Sequence, residues 1–315
     1  MVVRNVVAAL CALAALGLSS GAQAAEPAKC EKVSFSDVGW TDITATTAAT
    51  KAVLGALGYD VDVKVLSVPV TYSSLASGDI DVFLGNWMPT MKADIAPYKK
   101  AGTVETLGAN LNGAKYTLAV SKKLHDAGLK DFKDIAKFKK ELDGKIYGIE
   151  PGNDGNRLIL GMIEKDQFGL SGFKLVESSE QGMLSAAKRA ERRDEGVVFL
   201  GWAPHPMNAN LKMEYLTGGD DVFGPNLGGA TVYTNVRKGF TSECTNVGAL
   251  LKNLKFTLPM ENEIMGAILN DGEDADKAAK AWLTKNPSIL EGWLKGVTTR
   301  DGGDAMAAVK KELGL

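Results

Sequence analysis

Histidine is almost missing from this 315-residue chain: there are two, His125 in a charged run and His205 between two prolines. A His-based zinc cluster cannot be assembled from that supply, and no helical zinc motif occurs. A phosphate loop and a dinucleotide fingerprint are missing too. The pattern G-x-S-x-G appears as "GLSSG" at residues 17–21, inside a leader described below, and no nucleophile with a partnered base is visible. "NDGEDAD" at residues 270–276 lacks the spacing and the distal Glu of a calcium loop and reads as a solvated helix start. An enzyme, a metal and a cofactor are therefore not expected. Nor is there a basic excess, since 36 Lys and Arg face 38 Asp and Glu for a formal net charge of −2. That balance gives no reason to expect nucleic acid or an anionic membrane as a partner.

Long apolar runs are confined to the start. "MVVRNVVAALCALAALGLSSGAQA" carries one Arg, an apolar stretch too short to span a membrane and an Ala-Gln-Ala ending. Residues 1–24 thus read as a secretory signal peptide, which predicts an exported, soluble mature chain with the periplasm as its address. Cys11 follows Leu10 and not the small residue that lipoprotein processing needs, so a lipid anchor is not expected. Of three cysteines, Cys30 and Cys244 remain in the mature chain. In an oxidising compartment, with no competing thiol, they are expected to form a disulfide. The chain is expected to be a monomer.

Short strands alternate with helical stretches throughout what remains. "KVSFSDVGW", "DVDVKVLSV" and "IDVFLGNW" read as strands separated by the helical "DITATTAATKAVLGALG" and "TYSSLASGD". After a turn-rich crossing the pattern restarts: "KYTLAVSKKL", "KIYGIEP", "FKLVES" and "GVVFLGW" read as strands, with helices over "DFKDIAKFKKEL", "NRLILGMIEKD" and "EQGMLSAAKRAERR". "LTGGDDVFGPNLGGATVYTNV" crosses back, and the tail from about Thr241 is mostly helical. Two βαβαβ sets predict a mostly parallel α/β architecture of two lobes joined by two crossings, with a cleft where the strands end. Lobe one is expected over 25–114 plus 227–315 and lobe two over 115–226.

Aromatic residues are sparse, and three of the five tryptophans share one local pattern. Trp40, Trp87 and Trp202 each follow an apolar strand and a glycine or Gly-Asn, and each precedes turn chemistry, so all three should face the cleft. Trp282 and Trp293 sit in helical patterns and read as core packing. Converging ring faces suit a cation, above all a quaternary ammonium, which has no N–H to satisfy and is weakly hydrated. Asp42, two residues beyond Trp40, is either the carboxylate facing such a cation or a helix cap. Asn153 and Asp154, in "EPGNDGNRL", are either polar ligand groups or turn and cap residues.

Over nearly the whole mature chain, "FSDVGWTDITATT", "DIDVFLGNWMPTM", "GAKYTLA", "KIYGIEPGNDGNRLI", "VFLGW", "PHPMNAN" and "NEIMGAILNDGED" resemble the quaternary-amine and glycine betaine substrate-binding proteins of ABC import systems, and among them the choline-binding receptors. The resemblance implies a clam-shell fold that closes over choline and presents it to a membrane permease. It implies an aromatic box of Trp40, Trp87, Tyr116 and Trp202, with Asp42 contributing charge and Asn153 holding the choline hydroxyl. Tyr116 enters only through the resemblance. A betaine or carnitine receptor is the alternative within the class, and a choline-ester hydrolase is the alternative outside it.

Overall fold

Among the described residues nine strands organise the chain: β1 (Lys32–Asp37), β2 (Asp60–Val65), β3 (Val82–Met88), β4 (Val104–Ser121), β5 (Lys145–Tyr147), β6 (Lys174–Val176), β7 (Val198–Ala203), β8 (Met213–Tyr215) and β9 (Gly229–Arg237). The computed structural model describes residues 25–315. The signal-peptide reading of residues 1–24 lies outside the described residues.

The strands form one curled sheet in the order β2-β1-β3-β9-β4-β7-β5-β6, with β8 paired to β4. Within each half the pairing is parallel: β1 with β2 and β3, and β5 with β6 and β7. Where the halves meet it is antiparallel, through β3 with β9, β4 with β9, and β4 with β7 and β8. The expected mostly parallel sheet is therefore corrected to a mixed one. The stretch read as a turn-rich crossing before Lys115 is the longer part of β4, an 18-residue strand that runs from one half of the sheet into the other. Lys115 is where its partners change, since it is in register with Gly229 of β9 on one side and Ala203 of β7 on the other.

Helices cover the faces of both halves, giving a two-lobe α/β fold. Helix α1 (Thr41–Ala56) follows β1, is buried along most of its length and packs on the helices Leu258–Leu269 and Ala275–Lys285. It ends at Leu57, and Gly58 (φ +93°) turns the chain into β2 through a conformation that side chains with a Cβ disfavour. Helix α2 (Val68–Ser77) and helix α3 (Lys92–Ala101) complete the first set. The helix expected over "DFKDIAKFKKEL" is a 3₁₀ helix at Phe132–Phe138; Asp131 and Asp134 form a reciprocal capping box at its start. Trp293 is fully buried, and Trp282 lies against the same core with its Nε1 donating to Glu263 at 2.7 Å. Asp274, in the "NDGEDAD" run, caps the helix Ala275–Lys285 by accepting from Lys277 N.

Cys30 and Cys244 are joined in a disulfide with Cα atoms 5.5 Å apart. It links the segment before β1 to the start of the helix Thr245–Asn253, both beside the same half of the sheet.

Candidate functional site

The strand-end tryptophans converge because each closes its strand at the same edge of the fold. Trp87 is the penultimate residue of β3, Trp202 the penultimate residue of β7, and Trp40 stands between β1 and α1. Tyr116 in β4 is the register partner of Trp202 in β7, which places the two rings side by side. Their centroids are 6.2 Å apart with planes at 81°, and Trp87 stands 6.1 Å from Tyr116 at 61°. Edge-to-face packing of this kind leaves ring faces turned into the space between them.

That space is a cavity of about 260 Å³ lined by Trp40, Asp42, Trp87, Tyr116, Ile149, Asp154 and Trp202. Five of the six site residues that the resemblance implies border it. The sixth, Asn153, is not on the lining; it stands behind Tyr116, whose hydroxyl donates to Asn153 Oδ1 at 2.9 Å. Asn153 also caps the helix Asp154–Glu164 by accepting from Asn156 N, and its Nδ2 donates to Asp154 Oδ1 at 3.1 Å. The cap reading of this residue therefore describes its present contacts. Its neighbour Asp154 faces the cavity instead, and Asp154 Oδ2 is buried without a hydrogen-bond partner. Such an orphan acceptor is costly unless something arrives to satisfy it.

Acidic groups crowd the cavity. Asp42 sits at the second position of α1, so it is not the cap residue; that position belongs to Trp40. Its Oδ2 accepts from Trp87 Nε1 at 3.1 Å. Burial, with a smaller contribution from the charge of Glu180, pushes Asp42 up to about 8, against the pull of Trp87 and the first backbone N–H groups of α1. Burial likewise pushes Asp154 up to about 6 and Glu150 to about 7. Glu150 Oε1 accepts from Trp40 Nε1 at 2.9 Å, so two of the tryptophan walls are held by carboxylates at their N–H edges. Glu261 is raised as well, by burial and then by Asp42. The cation nearby is Arg157, which lowers Asp154 and is paired with Asp94.

Sequence reasoning missed Glu150 and Glu180 and weighed Asp154 only beside Asn153. Nothing local distinguishes these acids from exposed ones; burial against the cleft does. Among the described residues no group of three or more His, Cys, Asp or Glu is arranged to hold a metal ion. Among the described residues the lining offers ring faces and buried carboxylates and carries no Lys, Arg or His. It is suited to a small cation that brings no hydrogen-bond donors of its own on the charged end.

The chain matches the family described as the substrate binding domain of ABC-type glycine betaine transport systems over residues 31–285. It is similar, at 68% identity and a TM-score of 0.91, to the structure of an ABC-transporter choline binding protein in complex with choline, covering 92% of this chain and 100% of that one. An ABC-transporter choline binding protein in an unliganded semi-closed conformation is 69% identical with a TM-score of 0.84, covering 91% and 100%. Lactococcal OpuAC, closed and complexed with glycine betaine, is 26% identical with a TM-score of 0.74, covering 84% and 99%.

Proposed function

We infer, from the premise that this chain belongs to the family of substrate-binding domains of ABC-type glycine betaine transport systems, that it is a choline receptor of an ABC importer. The observation that carries choline in particular is the lining of the cavity: three tryptophans and a tyrosine together with the buried Asp42 and Asp154. Ring faces at about 0.5–2 kcal/mol each and the Coulombic attraction of one carboxylate, which the quaternary ammonium meets without a hydrogen bond, reach about −8 kcal/mol, the micromolar range. A trimethylammonium fills such a box, and its hydroxyl arm has the orphan Oδ2 of Asp154 as an acceptor. Asn153 contributes by holding Tyr116 and Asp154 in place, and from there by ordering the hydroxyl end.

Betaine and carnitine carry a carboxylate, which would meet Asp42 and Asp154 on a lining that, among the described residues, carries no Lys, Arg or His to receive it. This favours choline over the carboxylated relatives. The members of this family are transport proteins, and we assign the chain a binding role without catalysis.

The lobes are placed at 25–114 plus 227–315 and at 115–226. The change of partners along β4 at Lys115, opposite the start of β9, supports a hinge there. On this division Trp40 and Trp87 belong to one lobe and Tyr116 and Trp202 to the other, so the box is complete only in the shut cleft. Closure then commits the ligand. Substrate-binding proteins of ABC importers work outside the cytoplasm. We place this one in the periplasm as a monomer, released from the leader 1–24 and delivering choline to the permease.

Calorimetric titration with choline, glycine betaine and acetylcholine tests the reading, on wild type and on Asp42→Asn, which keeps the size of the side chain. Wild type should prefer choline to betaine. The variant should lose about 1–3 kcal/mol toward choline, the value of one charge-assisted contact, and much of the preference. Tighter binding of betaine by the wild type would overturn the choline assignment.

A further inference from the structure

The helix whose first turn carries Asp42 has no cap of its own. Trp40 occupies the cap position (φ −92°, ψ 132°) and makes no side-chain hydrogen bond to the helix, where Ser, Thr, Asp or Asn would satisfy the free N–H groups. The acceptor comes from 139 residues further along: Glu180 Oε2 accepts from Thr41 N at 2.8 Å and Glu180 Oε1 from Thr41 Oγ1 at 2.5 Å. Glu180 opens the helix Glu180–Arg192, and it is buried. His205 supports it from behind. Because His205 Nδ1 accepts from Met207 N at 2.9 Å, its hydrogen sits on Nε2, which faces Glu180 Oε1 at 3.2 Å. One carboxylate thus receives three donors and stands at the positive end of α1.

We propose that Glu180 is a positioning residue for ligand retention: it caps α1 across the cleft when the lobes are shut, and so holds Trp40 and Asp42, the neighbours of Thr41, against the bound cation. This rests on the two-lobe receptor reading above, which puts Thr41 and Glu180 on opposite lobes. In the open protein both partners meet water and the cap contributes little. In the shut protein it is buried, charge-assisted and formed beside two walls of the box. A tryptophan at a cap position then has a reason, because the wall needs the indole and the cap is supplied from the other side. Glu180 acts through Thr41 and is not on the lining of the cavity.

A contact made only after closure should govern escape and not capture. Glu180→Gln keeps the length and an acceptor but removes the charge. Thr41→Val removes the hydroxyl and leaves the backbone N–H. Stopped-flow tryptophan fluorescence gives association and dissociation rates for choline and for glycine betaine, and melting without ligand reports on the fold. Glu180→Gln should release ligand roughly tenfold faster or more, the effect of losing a charge-assisted hydrogen bond. Its association rate and its ligand-free melting temperature should stay as in wild type, and Thr41→Val should show a smaller change of the same kind. If the ligand-free melting temperature falls in step with affinity, the cap is a permanent piece of scaffold and the proposal fails. It fails also if choline leaves wild type and Glu180→Gln at the same rate, in which case the choline reading still stands. Should wild type hold betaine and reject choline while Glu180→Gln speeds betaine release, the cap stands and the choline assignment falls. Binding of neither ligand by wild type overturns both.

Discussion

Acidifying the ligand-free protein should populate its closed form. In this structure, which the two-lobe reading takes as the shut cleft, Asp42 is 2% exposed, and burial has carried it from an ordinary 3.8 to about 8. In an open cleft the same carboxylate faces water and titrates near its ordinary value. Closing the empty cleft at pH 7 therefore requires Asp42 to take up a proton at a pH about three units above the value at which it would do so freely. At about 1.4 kcal/mol per unit this opposes closure by about 4 kcal/mol. At pH 5 the opposition drops below about 2 kcal/mol, so the ratio of closed to open protein should rise about a hundredfold.

The sign follows from the direction of the shift. A group whose pKa is raised in the closed form favours that form while protonated, and the contribution is lost as pH rises from about 4 to about 8. Asp154 and Glu150 are raised as well, chiefly by burial, and act the same way; Asp37, Glu261 and Asp94 are also raised chiefly by burial, but Asp37 and Glu261 are packed against elements of their own half of the sheet and do not add to the effect. Glu180 and His205 face one another beside this set, and Arg157 offsets Asp94 and Asp154. A quaternary ammonium does the proton's work without titrating, so the choline-saturated protein should stay closed across the range. Paramagnetic relaxation from a spin label at the exposed Leu160→Cys, read on amides of α1 and α2, detects minor closed populations between pH 5 and pH 8. Relaxation rates on those amides should grow toward pH 5 in wild type and change less in Asp42→Asn. A pH-independent ligand-free profile would refute the reasoning, because it would mean that Asp42 is solvated in the shut cleft.

Two further perturbations separate the box from the scaffold. At Gly155 a Cβ would lie 2.1 Å from Tyr116 Oη and 2.7 Å from its Cζ, so Gly155→Ala must push the tyrosine wall and its bond to Asn153; choline binding should weaken by about 1–3 kcal/mol by calorimetry, the usual cost of overpacking, and unchanged affinity would exclude Tyr116 as a wall. Replacing Cys30 and Cys244 by serine opens a loop of 214 residues, which in a chain-entropy account removes about 4–5 kcal/mol of stability, with measured losses often smaller; thermal melting should show the loss while choline affinity at low temperature stays as in wild type, since both cysteines lie beside one half of the sheet.

Much of the fold was legible because its signals are local. Strand, glycine and tryptophan stand next to one another at Trp40, Trp87 and Trp202, so the shared pattern could be seen without knowing where the chain goes. The alternating strands and helices were equally visible. The first part of β4 was not: "VETLGANLNG" is rich in Gly and Asn, and the strand tolerates them through three register irregularities against β9, between Thr106 and Gly108, Ala109 and Leu111, and Asn112 and Ala114. The mixed pairing escaped for a related reason. The parallel sets are each encoded by successive elements, whereas the antiparallel seam joins β4 to β9, more than a hundred residues apart.

The site divides along the same line. Tyr116 has no local mark, and its role as a wall comes from being opposite Trp202 across a strand pair. Glu150, Asp154 and Glu180 look like any of the chain's acids until folding buries them, and the raised pKa values of Glu150 and Asp154 are a product of that burial. Asp42 stood between two readings because α1 begins there on either one. The structure assigns the cap position to Trp40 and the cap itself to Glu180, leaving the Asp42 carboxylate bonded to Trp87 beside the cavity. The misplaced cap is therefore the most informative irregularity in the sequence. A helix that starts on Trp-Thr-Asp breaks the local rule for N-termini, and the break makes sense only once the carboxylate of Glu180, 139 residues further along, supplies what the tryptophan cannot.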